Sequence, residues 1–368
     1  MSQPLLFVSA GDPSGDNATS HLIAHLKRNH PDLEFFGLGG PKLKSLGQEQ
    51  LAAGGDLAVL GFLEVARKYS FFRDLLARCA EEIKRRKPSC VLLVDYPGFN
   101  LRLAERIKPS GIPIVYYISP QVWAWGRKRI HQIARLVDRM ILILPFEEEL
   151  FRQHNVPCDM VGHYLLDDIP AEYLASPIPE NNRLALLPGS RPQEIDRMLA
   201  PMLEAARRMH AAYGTTSVVA GLKNVYTYDR HLGEGDTDFI SIIYDDSRRV
   251  IYGSELVLTA SGTATLETGI IGRPMVVVYK TGFVTYQIAR RLVKLGMIAL
   301  VNLVLGKRVV PELIQNEAGP RQMFDELSRY KKDRRYRDEV KAELDRVPRL
   351  LGGHGASERA AGVVEKYL

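Results

Sequence analysis

Along most of the chain, short continuous apolar runs alternate with longer stretches in which apolar residues recur every three or four positions. The runs at 5–10, 34–37, 91–95, 114–118, 140–144 and 159–162 predict strands. The periodic stretches 73–86, 101–108, 128–136 and 147–154 predict helices. Strands that are apolar along their whole length, alternating with helices, predict a parallel sheet covered on both faces. Residues 166–182 bring Pro170, Pro177 and Pro179 with little periodicity, which predicts a linker. A second alternation follows: strand 183–187, helix 194–213, strands 217–221 and 240–244, and a strand–turn–helix–strand unit over 255–279. Beyond Phe283 the pattern is helical to the end. The expectation is an α/β protein of two doubly wound parallel-sheet domains facing a central cleft. Residues 1–165 form the first domain and 183–345 the second, with 346–368 a helical tail available to pack back on the first.

The unit at 255–279 carries the most information. Its first strand meets Ser261, Gly262 and Thr263, small residues that let a ligand approach the free N–H groups at the helix start, where the helix dipole favours phosphate. Glu267 lies about one helical turn further on, within reach of a sugar hydroxyl. Leu-Ala-Leu-Leu-Pro-Gly-Ser-Arg at 184–191 places Arg191 at another helix mouth, as a planar, permanently charged fork suited to a diphosphate. A third small-residue loop, Ser-Ala-Gly-Asp-Pro-Ser-Gly-Asp at 9–16, follows the first strand. Parallel sheets bind ligands beyond the carboxyl ends of their strands, so three such turns point to one shared cleft. Taken alone, the 261–263 turn is explained equally well as an ordinary tight junction.

Composition narrows the partners. A chain of 368 residues is long for one core and comfortable for two. A net charge of +6 fits anionic substrates or an anionic membrane surface, and is too diffuse to imply nucleic acid. The lysines and arginines of 321–349 are interleaved with acids, as on a solvated helix face. Cys79, Cys90 and Cys158 match neither a disulfide framework nor a zinc spacing and predict buried thiols in a reducing compartment. The apolar run 4–10 lacks a basic flank and is short for a signal peptide. The greasiest stretch, 297–305, is interrupted by Asn302 and is far too short to span a bilayer. A cytoplasmic protein, soluble or peripheral, is expected. Asp167-Asp168 and Asp245-Asp246 have no further oxygen ligands nearby, so neither a metal nor another cofactor is assigned.

Three stretches could carry chemistry. In Val-Leu-Leu-Val-Asp-Tyr-Pro-Gly-Phe-Asn at 91–100, Asp95 ends a strand and can take a proton from an attacking hydroxyl. Hydrogen bonding the turn, or capping the next helix, is the stronger reading from the residues alone. Ser-Pro-Gln-Val-Trp-Ala-Trp-Gly-Arg-Lys at 119–128 holds both tryptophans beside cations, fit either to stack on a sugar and cover an acyl chain or to fill a core. Residues 60–78 mix Phe62, Leu63, Phe71 and Phe72 with arginines and lysine, as in a segment lying on anionic lipid. A core-facing amphipathic helix with snorkelling cations accounts for that composition better. His163, with no partner visible in sequence, reads as a structural histidine.

In order along the chain, several motifs resemble those of the lipid A disaccharide synthase family. They are Ser-Ala-Gly-Asp-Pro-Ser-Gly-Asp, Gly-Phe-Leu-Glu-Val from 61, Val-Asp-Tyr-Pro-Gly-Phe-Asn, Ser-Pro-Gln-Val-Trp-Ala-Trp, Leu-Pro-Gly-Ser-Arg and Ser-Gly-Thr-Ala-Thr-Leu-Glu. Each is weak alone; the ordered set, spanning residues 7 to 317, is specific. The resemblance implies a metal-independent GT-B glycosyltransferase, peripheral on the inner membrane of a Gram-negative-type bacterium. It would join UDP-2,3-diacylglucosamine to 2,3-diacylglucosamine 1-phosphate (lipid X) through a β-1,6 bond, releasing UDP. An α-linked donor and a β-linked product imply one inverting displacement. Asp95 matches the family's essential aspartate, Arg191 the arginine that meets the diphosphate, Glu267 the glutamate of the Ser-Gly-Thr helix and Asn302 the asparagine of the Asn-Leu motif. Ser14 and Asp16 fall in the matched amino-terminal loop. Two positions depart from the pattern: Asp12 replaces the commoner Glu, and Val301 precedes Asn302 where Pro is usual. The competing readings are another GT-B enzyme of UDP-sugars (a lipid II-type transferase or an epimerase) and a non-catalytic peripheral nucleotide-sugar-binding protein. A homodimer is left open.

Overall fold

The computed structural model describes residues 3–52, 69–123, 128–174, 176–280 and 297–368. The chain divides into two compact units, Met1–Asp167 together with Leu351–Leu368, and Asp168–Leu350.

In the first unit, β1 (Leu5–Ala10), α1 (Pro13–Asn29), β2 (Glu34–Leu38), α2 (Pro41–Ser45) and β3 (Glu49–Gln50) precede α3 (Tyr69–Arg86) and β4 (Cys90–Val94). Then come α4 (Pro97–Ile107), β5 (Ile114–Tyr117), α5 (Lys128–Leu136), β6 (Arg139–Leu142), α6 (Glu147–Arg152), β7 (Cys158–Met160) and α7 (Leu165–Asp168). The strands form one parallel sheet in the order β3-β2-β1-β4-β5-β6-β7. The chain winds outward from β1 in one direction and restarts at β4 in the other, so the order reverses between β1 and β4. Every residue of β4 is buried, which is why it reads as an unbroken apolar run. Asp12 caps α1 by accepting the Gly15 N–H at 2.7 Å, and Pro13 occupies the first turn, where its missing N–H costs nothing.

The second unit holds β8 (Arg183–Leu187), α8 (Pro192–Tyr213), β9 (Thr216–Gly221), β10 (Ile240–Tyr244), α9 (Ser247–Tyr252), β11 (Leu256–Ala260) and α10 (Thr263–Ile271). These lead to β12 (Met275–Tyr279), α11 (Leu300–Leu305), β13 (Glu312–Ile314), α12 (Pro320–Lys332), α13 (Arg334–Leu344) and α14 (Val347–Leu350). Its sheet is also parallel, in the order β10-β9-β8-β11-β12-β13, and reverses between β8 and β11. The expectation of helix alone beyond Phe283 is corrected by β13. Three residues paired to β12 at the sheet edge are too few to register as a period.

The last helix, α15 (Ala356–Glu365), belongs to the first unit and lies along α1. Asp167 caps it, accepting the N–H groups of Gly355 at 2.7 Å and Ser357 at 2.8 Å, and Arg359 donates to the Val161 carbonyl at 2.7 Å. Cys79 and Cys90 are free and buried, and burial pushes both thiols up to about 12. Cys158 is only partly buried.

Candidate active site

In the first unit the strand-order reversal brings together the ends of β1 and β4. Asp95 follows β4 with φ 42°, and Tyr96 follows with φ 46°. Two successive non-glycine residues in the left-handed region are strained and persist only where the surroundings fix them. Asn100 does much of this, donating to the carbonyls of Val94 at 3.0 Å and Asp95 at 2.9 Å while accepting from Ser9 Oγ at 2.6 Å. The Tyr116 hydroxyl donates to the Asp95 carbonyl as well. Gly11 is required beside this turn, since a Cβ there would meet the Tyr96 ring at 2.6 Å.

The Asp95 side chain does not cap α4, whose N-cap is Tyr96 with no side-chain cap bond. Burial raises its carboxyl to about 6, the nearby Asp12 charge adds to the rise, and the Tyr96 N–H works against it. A desolvated carboxylate with that proton affinity is suited to general-base chemistry.

Asp16 is buried, and its oxygens accept the N–H groups of Gly40 at 2.8 Å, Lys42 at 3.0 Å and Leu43 at 3.2 Å. It caps α2, and three of its acceptor positions are taken up in doing so. Ser14 is exposed, with Oγ 2.8 Å from the Tyr164 hydroxyl.

In the second unit the reversal falls between β8 and β11, paired from Leu184↔Leu256 to Leu187↔Thr259. The 188–191 and 261–263 turns therefore leave adjacent strands, and each opens directly into a helix. Two helix N-termini side by side favour an anion. A Cβ on Gly262 would meet nothing within 4 Å, and Thr263 is exposed, so the approach over α10 is open. Ser261 donates to the Ile298 carbonyl at 3.4 Å. The Arg191 side chain is 67% exposed and touches Glu194 only at 3.5 Å, loose enough to swing onto a ligand. Glu267 accepts from Arg248 Nε at 2.8 Å, and Arg248 also donates to the Asp168 carbonyl at 2.9 Å. A sugar hydroxyl reaching Glu267 must share it with that guanidinium.

Asn302 lies inside the fold. It is 0% exposed and saturated: Oδ1 accepts from the N–H groups of Val309 at 2.9 Å and Val310 at 3.0 Å, and Nδ2 donates to the Val310 carbonyl at 2.9 Å and to Glu312 Oε1 at 2.8 Å. Glu312 in turn accepts the N–H groups of Ile298 at 2.9 Å and Ala299 at 3.1 Å, closing the start of α11. Proline at 301 is not needed to fix this loop; the Asn302–Glu312 lattice does so, and Val301 is buried against Gly269 of α10.

Of the proposed membrane-facing residues, Phe62 and Leu63 lie outside the described residues. Phe71 and Phe72 are half-buried, edge to face at 5.5 Å, and pack against the first unit's core, with Leu75 and Leu76 buried one turn on. Their packing helps hold α3 on the core, and part of each ring stays at the surface. His163 is buried, stacks on Tyr164 at 4.8 Å and accepts the Leu165 N–H at 3.2 Å, as a structural histidine would. Trp123 donates to a buried glutamate, Glu147, while Trp125 lies outside the described residues. No group of three or more metal-ligating side chains, and no helix long and apolar enough to cross a membrane, occurs among the described residues.

Three residues of these sites escaped the sequence reading. Glu147 is hidden in Leu-Pro-Phe-Glu-Glu-Glu, where three acids read as an ordinary helix start. Arg248 stands next to Arg249 with nothing to distinguish it. Glu312, the single acid in Val-Val-Pro-Glu-Leu-Ile, did carry a signal, because an acid inside an apolar run needs buried partners.

A family model described as lipid-A-disaccharide synthetase matches residues 6–360. The lipid-A-disaccharide synthase of Myxococcus xanthus is 38% identical, over 99% of this chain and 98% of its own. That of Anaeromyxobacter dehalogenans is 40% identical, over 97% of this chain and 95% of its own. The chain belongs to the lipid-A-disaccharide synthase family. It is a glycosyltransferase of lipid A disaccharide synthesis. Solved structures agree on the fold. The S. aureus MnaA–UDP co-structure matches with a TM-score of 0.69 at 14% identity, covering 99% of this chain and 96% of that one. The glycosyltransferase of kitacinnamycin matches with a TM-score of 0.64 at 15% identity, covering all of both chains. Both sheets here are parallel and doubly wound, in the GT-B manner.

Proposed function

We propose that the protein transfers a diacylglucosamine unit from its UDP donor to the 6-hydroxyl of 2,3-diacylglucosamine 1-phosphate, with Asp95 as the base. The observation that carries this reading is the desolvated Asp95 carboxylate at the strand-order reversal of the first sheet, raised to about 6 and not used as a helix cap. The acceptor oxygen attacks the anomeric carbon, the bond to the diphosphate breaks, and the hydroxyl proton passes to Asp95. The departing UDP takes up the negative charge, which Arg191 and the N-termini of α8 and α10 stabilise. Glu267 meets the donor's sugar hydroxyls beside Arg248, and Ser14 lies on the acceptor side. Support for a UDP-linked donor comes from the fold shared with a UDP co-structure.

No residue in this scheme needs a metal, so turnover persists in EDTA. The net positive charge supports peripheral residence on an anionic membrane. Supplying donor with and without acceptor tests the function. UDP release that requires acceptor supports transfer; release or isomerisation of the donor alone supports an epimerase, and binding without turnover a non-catalytic protein.

Two further outcomes follow. Arg191→Ala weakens UDP binding by about 1.5–3 kcal/mol, the range for a charge-assisted hydrogen bond; equal affinity by calorimetry removes Arg191 from the diphosphate site. Because Asp95 must be ionised, kcat/KM falls as pH drops through about 6. Asp12→Asn keeps an oxygen for the α1 cap but removes the like charge, so this acid limb moves to lower pH. A limb that stays in place in Asp12→Asn assigns it to another group.

A further inference from the structure

Glu147 opens α6 just past β6, two strands along the sheet from β4 and its Asp95. It is 1% exposed. Both of its side-chain donors reach the same oxygen: Ser119 Oγ and Trp123 Nε1, the latter at 3.2 Å, donate to Oε1. Oε2 is buried and has no hydrogen-bond partner among the described residues. An ionised carboxylate would leave half its charge on a buried oxygen for which the described residues supply no hydrogen bond. A neutral acid instead keeps its proton on Oε2 and accepts both bonds through a carbonyl-like Oε1. The surroundings agree. Burial pushes the acid up to about 7, the Asp95 charge acts in the same direction, and Ser119, Trp123 and the Leu144 backbone act against it. Trp123 is held from its other side by Phe146, edge to face at 5.2 Å.

We infer that Glu147 is a positioning residue for the transfer, a neutral carboxylic acid that clamps the 119–123 loop beside Asp95. The inference rests on Asp95 being the base. Ser119 and Trp123 come from the loop after β5, the strand between β4 and β6, so a clamp from the end of β6 fixes what stands next to Asp95. When Glu147 loses its proton, the bonds from Ser119 and Trp123 tighten, but a second buried negative charge develops near Asp95 and draws water toward Oε2, which disturbs the ground beside the base.

Glu147→Gln tests this, because the amide oxygen can accept both bonds but the side chain cannot ionise. The expected result is turnover within about threefold of wild type near pH 6.5, and loss of the wild-type fall in kcat/KM between about pH 7 and 8.5. Glu147→Ala, which removes the clamp, raises the acceptor KM by about tenfold or more and leaves UDP affinity unchanged. Should that variant fail to fold, Ser119→Ala and Trp123→Phe each remove one bond and raise the same KM. A Glu147→Gln profile that keeps the wild-type alkaline limb overturns the inference. So does an alanine variant that melts lower with its acceptor KM unchanged, since packing alone explains it. Asp95→Asn assayed in parallel separates the two claims. Full turnover in Asp95→Asn removes the base reading, whereas loss of turnover there with an unaltered Glu147→Gln profile removes only the clamp.

Discussion

Asn302→Ala is expected to destabilise the protein by about 3–5 kcal/mol while the folded fraction binds UDP nearly as well as wild type. The substitution orphans two buried N–H groups, those of Val309 and Val310, and one carbonyl, and takes from Glu312 one of its three donors. Each uncompensated neutral group costs about 1–3 kcal/mol, and the partly deprived glutamate more, with some recovery if water enters the space. The outcome separates two roles for this asparagine. As a ligand-binding residue it would leave stability near wild type and weaken UDP binding instead. Denaturant unfolding beside calorimetry with UDP distinguishes them, and unchanged stability with lost affinity would contradict the scaffold role.

Asp95→Asn is expected to lower kcat by about 10²–10⁴-fold, with UDP affinity unchanged. The amide is nearly isosteric and can accept the same N–H bond from Tyr96, but it cannot take a proton. The proposed diphosphate groups, Arg191 and the 261–263 turn, belong to the second unit and are untouched. Stability gives an internal control. A carboxyl raised in the fold from its ordinary value to about 6 loses stabilisation as pH rises from about 4 to 6, because the unfolded chain ionises first. Above pH 6 that penalty is fully present, and Asp95→Asn removes it. The variant should therefore be as stable as wild type at pH 7, or slightly more so. Loss of turnover with an unchanged or raised melting temperature is the signature of a base; parallel loss of both would return Asp95 to a structural part in the turn.

The fold was legible because both sheets are parallel and buried on both faces. Central strands such as β4 and β11 then read as apolar runs, and the helices between them keep a clear period. What stayed hidden was short or cooperative. β13 has three residues at a sheet edge, and the cap that Asp16 makes on α2 spans more than twenty residues of sequence. The candidate site followed the same division. Turns built from small residues, such as 261–263, announce themselves because their shape is local. The resemblance placed Asp16 and Asn302 among ligand-binding residues; the structural bonds each makes, Asp16 to the start of α2 and Asn302 to the 309–312 stretch, were not visible in the sequence. Phe71 and Phe72 show the limit of composition: an aromatic pair beside arginines looks the same whether it faces lipid or a sheet, and here each ring is half-buried against the core with the rest at the surface. Glu147 was invisible for the converse reason, since its chemistry comes from burial at the end of β6 and not from its neighbours in sequence.

The central claim is a single displacement in which Asp95 deprotonates the acceptor hydroxyl, and the anomeric configuration of the product tests it most directly. Purified protein is incubated in EDTA with the α-linked UDP donor and the acylated 1-phosphate acceptor, and the new glycosidic bond is read by NMR. The account predicts a β-linked disaccharide formed with inversion. An α-linked product would require a second displacement or a front-face mechanism, and would contradict it.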